Sequence, residues 1–291
     1  MEQTQKNIIS VVIPVYNEET SVLSTIKQVK EVMDRSNQEY EIIAVNDGSK
    51  DRSKEILEQI KNIQVINHPY NIGYGASLKT GIKKSKGNYI LITDADGTYP
   101  IADIPRLLKH LNNYDMVVGA RTGKNVKIPL LRRPAKKIIN IIANFMSGHK
   151  IPDLNSGFRL FKKDLCLEFF HLYPQKFSFT TTITLAFPTS GYSVKYIPTD
   201  YFNRKGTSSI SPVKDFVGFI NLIIRITTYF NPFKIFFSLS LLLLILAIII
   251  FFYTSIMLGR IMDTTVMVVF LSSLQIFLFG IIADLIVKTR K

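Results

Sequence analysis

Short apolar runs alternate with amphipathic stretches along residues 8–120. The apolar runs are rich in Val and Ile and end in polar residues or Gly, which is typical of strands buried in a parallel sheet with helices on both faces. The pattern therefore predicts an α/β domain. The predicted strands are 9–15, 41–45, 63–66, 89–93 and 116–120, and the predicted helices lie near 21–35, 53–60, 76–85 and 104–111.

Two long apolar runs follow, at residues 235–258 and 264–283, and neither contains a charged residue. Each is long enough to cross a hydrocarbon core of about 30 Å, which takes about 20 helical residues. The connection 259–263 is too short for a domain, so we expect a two-helix transmembrane hairpin. Gln275 and Asp284, both in this region, are expected to face the partner helix or the membrane interface.

Basic residues favour one orientation of this hairpin. Many Lys and Arg precede the first span and three of the last four residues are basic, whereas the connection holds one Arg and one Asp. The positive-inside rule then places the α/β domain and both chain termini in the cytoplasm. We expect a catalytic domain at 1–210, a juxtamembrane interfacial helix at 211–232 and the two spans at 233–291. No cleavable signal peptide is expected, because the first apolar stretch is short and ends at Pro14.

Two segments combine basic and apolar residues as membrane-surface helices do. Residues 121–137 carry seven basic residues and no acidic one. A helix beginning near Arg133 would place apolar side chains beside them, namely those of Ile138, Ile139, Ile142 and Phe145. A solvated basic helix with its apolar face on the core is the alternative. The second segment, 213–229, has a broad apolar face, and we expect it at the membrane surface.

The net charge of +14 is concentrated before the hairpin, where 31 Lys or Arg accompany 20 Asp or Glu in residues 1–230. Such a surface attracts acidic lipid headgroups, phosphorylated substrates or nucleic acid. Nucleic acid is not expected, because the chain has membrane spans and no recognisable nucleic-acid motif. The single Cys166 cannot form an intramolecular disulfide, and the four histidines have no zinc-ligand spacing, so we interpret them as surface or turn residues.

Polar residues directly after the strands are the candidates for chemistry, because ligands of such sheets bind beyond the carboxyl ends of the strands. The sets are 16–18, 46–49 and the triplet Asp94-Ala95-Asp96. Two neighbouring carboxylates repel one another unless a cation neutralises them, and Mg²⁺ binds one or two carboxylates together with substrate phosphates. A turn or a helix N-cap is the alternative interpretation of the triplet.

The order of several motifs resembles the family 2 glycosyltransferases with the Rossmann-like GT-A fold, over roughly residues 8–210. The motifs are VVIPVYNE at 11–18, VNDGS at 45–49, NIGYGA at 71–76 and the acidic triplet at 94–96. Two further motifs, DLNSGFRLF at 153–161 and RKGTSS at 204–209, precede the two spans. This combination resembles the branch that contains dolichyl-phosphate mannose synthases and bacterial polyprenyl-phosphate glycosyltransferases.

The resemblance implies roles for individual residues. Pro14, Tyr16, Glu18 and Asp47 would surround the nucleotide, and Asp94 and Asp96 would hold Mg²⁺ or Mn²⁺ with the diphosphate. The implied catalytic set is Asp94, Asp96, Arg121, Arg159 and Arg204, and the implied acceptor-phosphate set is Arg121, Arg133, Arg159, Arg204 and Lys205. Arg132 and Arg133 touch lipid headgroups in the alternative interpretation. The chain departs from relatives at Asn46, where an acid is frequent, and at Thr98, where some carry a metal-binding Gln.

The function implied is inverting transfer of a hexose from a nucleotide diphosphate sugar, of the UDP-glucose or GDP-mannose type, to undecaprenyl or dolichyl phosphate. Residues 177–188 hold four threonines and no carboxylate, whereas many relatives that act on alcohols place an acidic pair there. A phosphate acceptor, already anionic at neutral pH, needs no general base. The alternatives are a processive polysaccharide synthase, disfavoured by the lack of Trp, and a non-catalytic nucleotide-sugar-binding membrane protein. A homo-oligomer formed through the hairpin is a further expectation.

Overall fold

The computed structural model describes residues 7–125, 133–175, 178–203, 212–257, 259 and 263–289. The chain forms two compact units, Met1–Phe219 and Ile220–Lys291. The first unit holds the sheet, and the second holds the C-terminal hairpin.

The first unit is built on a seven-stranded sheet in the order β3-β2-β1-β4-β6-β5-β7. β6 runs antiparallel to β4 and β5, and the other neighbouring pairs are parallel. The mostly parallel sheet and the five predicted strands are confirmed, and β6 and β7 are additions. The strands are β1 (Ile8–Val15), β2 (Glu39–Asn46), β3 (Gln64–Asn67), β4 (Tyr89–Ile92), β5 (Met116–Ala120), β6 (Arg159–Lys162) and β7 (Val194–Pro198).

Helices in this unit pack their apolar sides on the sheet. In the first helix, Val22, Ile26, Val29 and Met33 recur at helical spacing and are fully buried. The carboxyl ends of β1 to β4 point to one edge of the sheet, which is where the candidate site lies. The helices are α1 (Val22–Asp34), α2 (Ser53–Glu58), α3 (Tyr74–Lys84), α4 (Ile104–Leu108), α5 (Arg133–Ser147), α6 (Lys163–Glu168) and α7 (Phe179–Thr189). A further helix, α8 (Pro212–Phe230), begins in the first unit and ends in the second.

Helix α5 begins at Arg133, as the sequence predicts, and has two apolar sides. Ile139 is buried and Ile142 is half-buried, so this side faces the protein core rather than a membrane. Ile138, Ile141 and Phe145 are exposed along the other side, at a spacing of three and four residues. Of the four residues in the interfacial interpretation, Ile138 and Phe145 lie on the exposed side, whereas Ile139 and Ile142 lie on the side that faces the core.

The second unit is dominated by two long apolar helices, α9 (Pro232–Met257) and α10 (Asp263–Thr289). Both are long and apolar enough to cross a membrane. The side chains that they turn toward each other recur at alternating spacings of three and four residues, which is the pattern of a coiled-coil seam. We call this set the hairpin seam: Phe233, Phe236, Ser240, Leu243, Ala247, Ile250 and Thr254 from α9, and Val266, Val269, Ser273, Ile276, Gly280, Ala283 and Val287 from α10.

Small and hydroxyl side chains allow the two helices of the hairpin to approach closely. The Oγ atoms of Ser240 and Ser273 lie 3.3 Å apart, and Ser273 donates to the Ser240 carbonyl at 3.0 Å. Gly280 lies directly against Phe236. At the end of α10, Asp284 pairs with Lys288 at 2.7 Å. Gln275 is exposed rather than packed on α9, so the first of its two expected positions, facing the partner helix, is wrong. The second, the membrane interface, stays a prediction.

Candidate functional site

The loops that follow β1 and β2 are joined by hydrogen bonds. The Asn17 N–H donates to Ser49 Oγ at 3.0 Å, and the Lys50 N–H donates to Asn17 Oδ1 at 2.8 Å. The N–H of Glu18 donates to Ser53 Oγ at 2.8 Å. Asn17 adopts a φ of 55°, a left-handed conformation that Asn tolerates better than most residues. The two loops therefore form one preassembled edge of the site.

A cleft of about 570 Å³ opens beside these loops. The rings of Tyr16 and Tyr70 flank it and are 39% and 67% exposed. Lys50 and Lys54 add positive charge. Two exposed aromatic rings beside two cations suit a flat, anionic ligand. The lining residues are Tyr16, Asn46, Gly48, Ser49, Lys50, Lys54, Asn67, His68, Pro69, Tyr70 and Asn71.

Asp47 fixes the far wall of this cleft. Its carboxylate accepts hydrogen bonds from the N–H groups of Ile72 and Gly73, at 3.0 and 2.8 Å. His68 Nδ1 lies 2.7 Å from the same carboxylate, and His68 Nε2 lies 3.0 Å from Thr80 Oγ1. The His68 side chain is only 8% exposed, which corrects its interpretation as a surface residue. Asp47 thus acts as the anchor of the segment 68–73.

Gly48 lets the two walls of the cleft approach each other. It has a φ of +64°, and a Cβ built on it would lie 2.5 Å from the carbonyl carbon of Tyr70 and 2.7 Å from the nitrogen of Asn71. Any larger residue would push the backbone at 70–71 away from the β2 end.

The paired acids lie just after β4. Asp94 Oδ1 accepts a hydrogen bond from the Tyr74 hydroxyl at 2.9 Å. Asp96 Oδ1 accepts from both the N–H and the hydroxyl of Thr98, at 3.1 and 2.7 Å. Thr25 donates to the carbonyl of Ala95 between them at 3.1 Å. The Asp94-Ala95-Asp96 triplet thus includes a turn at Asp96, as its alternative interpretation predicted. The hydrogen bonds hold both carboxylates in place.

Tyr74 connects the acid pair to the cleft. It follows directly on the segment that Asp47 anchors, and its hydroxyl reaches Asp94. Burial, and then the charge of Asp94, hold the pKa of the Tyr74 hydroxyl well above its ordinary value. The hydroxyl therefore keeps its proton and remains a donor to the carboxylate at physiological pH.

Gly157 fits against the same carboxylate from the other side. A Cβ at this position would lie 2.9 Å from both Asp94 oxygens and 3.0 Å from the Tyr74 hydroxyl oxygen. The Gly157 N–H donates to the Tyr99 hydroxyl at 2.7 Å, and the Tyr99 ring stacks on Phe158 at 5.6 Å between centroids. The segment 153–158 is thereby placed against the acid pair.

Arg121 forms an ion pair with Asp153. Its Nε and Nη2 donate to the two oxygens of Asp153 at 2.7 and 2.8 Å, and its backbone N–H donates to Asp153 at 2.9 Å. Burial alone would lower the pKa of Arg121, but the Asp153 carboxylate raises it well above its ordinary value. The guanidinium also lies 5.1 Å from the ring centroid of Tyr201. These contacts suit a residue that shapes the site, since the side chain is only 15% exposed.

Arg159 lies in the protein interior and is fully buried. Its guanidinium donates to the carbonyl of Ser156, to the carbonyl of Thr180 at 3.2 Å, and to the Thr184 hydroxyl at 2.9 Å. Burial lowers the pKa of this guanidinium. Arg159 thus joins the 153–158 segment to α7. The direct phosphate contact that the resemblance implied does not fit this burial, and we assign Arg159 a positioning role instead.

Three further predicted residues lie in β1 or directly after it. Tyr16 lines the cleft, whereas Pro14 is buried within β1 and Glu18 is buried in the following turn. The acids of the β4 turn lie together. Arg204, Lys205 and the side chain of Arg133 lie outside the described residues.

Sequence reasoning missed several residues of this site: Tyr74, Gly157, His68 and Asp153. A signal existed for Tyr74 and Gly157, since both lie in motifs that carry the family resemblance, NIGYGA and DLNSGFRLF. Asp153 lies in the second motif too, but its contact with Arg121 spans 32 residues and no local pattern reveals it.

Comparison with known proteins identifies the family of this chain. A family model described as glycosyl transferase family 2 matches residues 10–170, and one described as the GtrB C-terminal hairpin matches residues 231–289. The chain is 33% identical over 192 residues to the dolichyl-phosphate beta-glucosyltransferase ALG5D of Trichomonas vaginalis, covering 59% of this chain and 58% of that protein. It is 36% identical over 169 residues to the undecaprenyl-phosphate 4-deoxy-4-formamido-L-arabinose transferase of Photorhabdus laumondii, covering 56% of this chain and 51% of that protein.

A solved structure shares the fold. The glucosyl-3-phosphoglycerate synthase of Mycobacterium tuberculosis, crystallised with Mn²⁺, UDP and phosphoglyceric acid, superposes with a TM-score of 0.57 at 16% identity, covering 76% of this chain and 78% of that one. The chain spans between half and three-fifths of the length of the two curated relatives named above. Because a family model covers more than half of the chain, the conclusion is plain: the protein belongs to glycosyl transferase family 2 and ends in a GtrB-type membrane hairpin.

Proposed function

We propose that this protein transfers a hexose from a nucleotide diphosphate sugar to the phosphate of a polyprenyl phosphate, with inversion at the anomeric carbon. The main support is the arrangement of the cleft and the two acids. Asn71 lines the cleft, and Tyr74, three residues later, holds the carboxylate of Asp94 through a hydrogen bond. The named relatives act on dolichyl and undecaprenyl phosphate, which supports this class of acceptor.

The cleft would bind the nucleoside. Tyr16 and Tyr70 offer ring faces for a base, and Lys50 and Lys54 offer charge for the phosphates. Asp47 contributes indirectly, since it accepts the backbone N–H groups that hold the cleft wall. Its role therefore changes from the nucleotide contact that the resemblance implied to that of an anchor.

The residues present fit a hard divalent cation. Asp94 and Asp96 offer carboxylate oxygens, the ligands that Mg²⁺ and Mn²⁺ prefer. Within the part of the chain that the structure describes, no group of three or more His, Cys, Asp or Glu could form a closed metal cage. A two-carboxylate site leaves positions for substrate phosphate oxygens, as nucleotide-metal sites do. When bound, the cation would neutralise charge on the departing diphosphate.

The chain itself would orient the reaction. Tyr74 and Thr98 fix the two carboxylates through hydrogen bonds, so no reorganisation is needed when charge develops. Arg121, paired with Asp153, would support the site without contacting phosphate. Arg204 and Lys205, from the motif at 204–209, are the proposed donors to the acceptor phosphate.

The acceptor side of the site supports a phosphate nucleophile. Helix α7 carries no carboxylate, and its threonine hydroxyls are used within the fold. Thr181 donates to Asn155 at 2.6 Å, and Thr182 and Thr184 donate to carbonyls one turn earlier. A phosphate monoester has a second pKa of about 6 and is mostly dianionic at pH 7. The attack on the anomeric carbon would then need no general base.

The hairpin and the basic surface would hold this chemistry at a membrane. We propose that the catalytic domain and both termini are cytoplasmic, from the excess of Lys and Arg beside the spans. The exposed ridge of Ile138, Ile141 and Phe145 on α5, and the juxtamembrane segment 211–232, would rest at the headgroup level. The acceptor tail would stay in the bilayer.

The test is a transfer assay with the full-length protein in liposomes. A panel of radiolabelled nucleotide sugars would be incubated with undecaprenyl or dolichyl phosphate and Mg²⁺ or Mn²⁺, and the labelled lipid would be extracted. We expect Asp96→Ala to abolish transfer and to leave the protein folded and membrane-bound. The matched control is Asp103→Ala, which removes an acid from the neighbouring turn whose partner is Arg106.

Two outcomes would contradict the proposal. If wild-type protein still transfers sugar after chelation of divalent cations, the acid pair does not act by binding a cation. Binding of a nucleotide sugar without turnover on any lipid phosphate would favour the non-catalytic binding protein instead.

A further inference from the structure

His68 directly precedes the segment 69–73, which we call the cleft wall, and its ring is held from two sides. Nδ1 lies 2.7 Å from Asp47 Oδ1, and Nε2 lies 3.0 Å from Thr80 Oγ1. The backbone N–H of His68 donates to the Asn46 carbonyl at 2.9 Å, which attaches this residue to the end of β2. The fold therefore fixes the orientation of the ring.

The two hydrogen bonds of the His68 ring have different requirements. A carboxylate only accepts hydrogen bonds, so the nitrogen that faces Asp47 must carry a hydrogen. The other nitrogen faces the hydroxyl of Thr80, which can either donate or accept. The contact with Asp47 therefore needs a donor at the position of Nδ1, whereas the contact with Thr80 can be made by a donor or by an acceptor.

The carboxylate of Asp47 receives its other hydrogen bonds from the cleft wall itself. The N–H groups of Ile72 and Gly73 donate to it at 3.0 and 2.8 Å. These groups belong to the segment that Asp47 holds, so they cannot fix the carboxylate independently of that segment. His68 can, because β2 and α3 hold it in place. Without the ring donor, this buried carboxylate would be oriented by the wall instead of orienting it.

The cleft wall lies between His68 and α3. Tyr70, within the wall, places its exposed ring beside the cleft. Thr80 is part of α3, and the first residue of this helix, Tyr74, donates to the acid pair. Because the His68 ring contacts the carboxylate on one side and α3 on the other, it fixes both ends of the wall.

We propose that His68 is a positioning residue for the nucleotide. Acting through Asp47, it sets the geometry of the cleft wall and thereby the affinity of the cleft for a nucleoside diphosphate. The inference rests on the proposed function only in taking the cleft as the nucleotide site. A ring that merely stabilises the fold would affect unfolding and leave nucleotide affinity unchanged, and a ring that contacts the nucleotide would act without Asp47.

Asparagine and glutamine separate the roles of the two ring nitrogens. The amide of His68→Asn lies near the position of Nδ1 and can donate to Asp47, whereas the amide of His68→Gln lies near the position of Nε2 and can reach Thr80. Each variant keeps one hydrogen bond and loses the other. Thermal unfolding should therefore show comparable losses of stability in the two variants.

Nucleotide affinity should distinguish the two variants. Isothermal titration calorimetry would measure the binding of UDP and of GDP to purified full-length protein with Mn²⁺. For the nucleotide that the wild type binds, we expect His68→Asn to stay within about twofold and His68→Gln to bind about tenfold more weakly. The matched control is His110→Gln, which replaces a ring that packs against Tyr114 after α4 and should bind as the wild type does.

A double-mutant cycle tests whether His68 acts through Asp47. In an Asp47→Asn background, His68→Gln should weaken binding by less than about twofold more. Equal affinities of the two His68 variants, an undiminished effect of His68→Gln in the Asp47→Asn background, or a wild-type protein that binds neither nucleotide would each overturn the proposal. Sugar transfer is not needed for these readouts. A protein that binds a nucleotide and transfers no sugar would contradict the proposed function and leave this inference standing.

Discussion

Gly157→Ala tests the site directly, because the added Cβ would displace the carboxylate of Asp94, one member of the acid pair. The new Cβ would lie 2.9 Å from both Asp94 oxygens. About nine in ten contacts that Cβ atoms make in proteins are longer than 3.4 Å, so the Asp94 carboxylate must move by about 0.5 Å. Gly157 does not adopt a positive φ, so the backbone tolerates alanine and the effect is steric.

The expected cost falls on activity more than on stability. The carboxylate is the end of a side chain and can yield, so we expect a loss of unfolding free energy of about 1 kcal/mol, at the low end for overpacking. A misplacement of about 1 Å in a catalytic arrangement can reduce rates about a hundredfold. Half of that displacement should therefore lower the rate of sugar transfer about tenfold and raise the Mn²⁺ concentration that gives half-maximal activity.

The assay is the initial rate of labelled lipid formation across a Mn²⁺ titration, with thermal unfolding followed by circular dichroism because the chain has no Trp. The matched control is Gly218→Ala in α8, where an added Cβ meets no atom within 4 Å. Turnover and metal activation of Gly157→Ala equal to those of the wild type would refute the reasoning. A collapse of stability without a selective loss of activity would refute it as well.

Other substitutions test neighbouring contacts. Tyr74→Phe removes the hydrogen-bond donor to Asp94. We expect it to weaken Mn²⁺ binding in the presence of UDP, measured by electron paramagnetic resonance, about tenfold or more. The control is Tyr192→Phe, which removes a hydroxyl that donates to the exposed Glu168 and should leave Mn²⁺ binding unchanged. Arg159→Met leaves buried carbonyls without donors, so denaturant titration should show a loss of about 3 kcal/mol; a stable but inactive variant would instead support direct phosphate contact. Burial raises the pKa of the Cys166 thiol from 9.0 to about 12, so the unfolded state loses its proton first and the unfolding free energy should fall as pH rises above 9. Native protein should also resist alkylation at pH 9 that urea-unfolded protein undergoes.

Much of the fold could be predicted because burial leaves a direct trace in the sequence. The strands at the centre of the sheet are continuous apolar runs, and the two spans are longer than any core helix requires. β6 and β7 were not predicted, because neither is a continuous apolar run. β6 has four residues, includes Arg159 and Lys162, and pairs antiparallel between two predicted strands. Its position is decided by those neighbours, which no local pattern records.

The site was predictable in its residue types and less so in its contacts. The carboxylates at 94 and 96 follow a strand, and the sheet topology alone places them at the ligand edge. The arginines illustrate the limit. Arg121 and Arg159 have the charge that a phosphate site needs, but one is paired with an acid 32 residues away and the other is enclosed by carbonyls. The sequence shows which residues are charged, but it does not show which of them will be paired or buried in the folded protein.

The spacing of the hairpin seam determines the shape of the membrane unit. Contacts that repeat every 3.5 residues drift by about 20° per heptad from the path of a straight helix, so two helices that keep them in register wind around each other with a left-handed twist. Over the length of α10 the winding amounts to roughly 70°. The lipid-facing stripe therefore spirals, and a straight neighbouring helix could follow it for only a few turns before the two diverge.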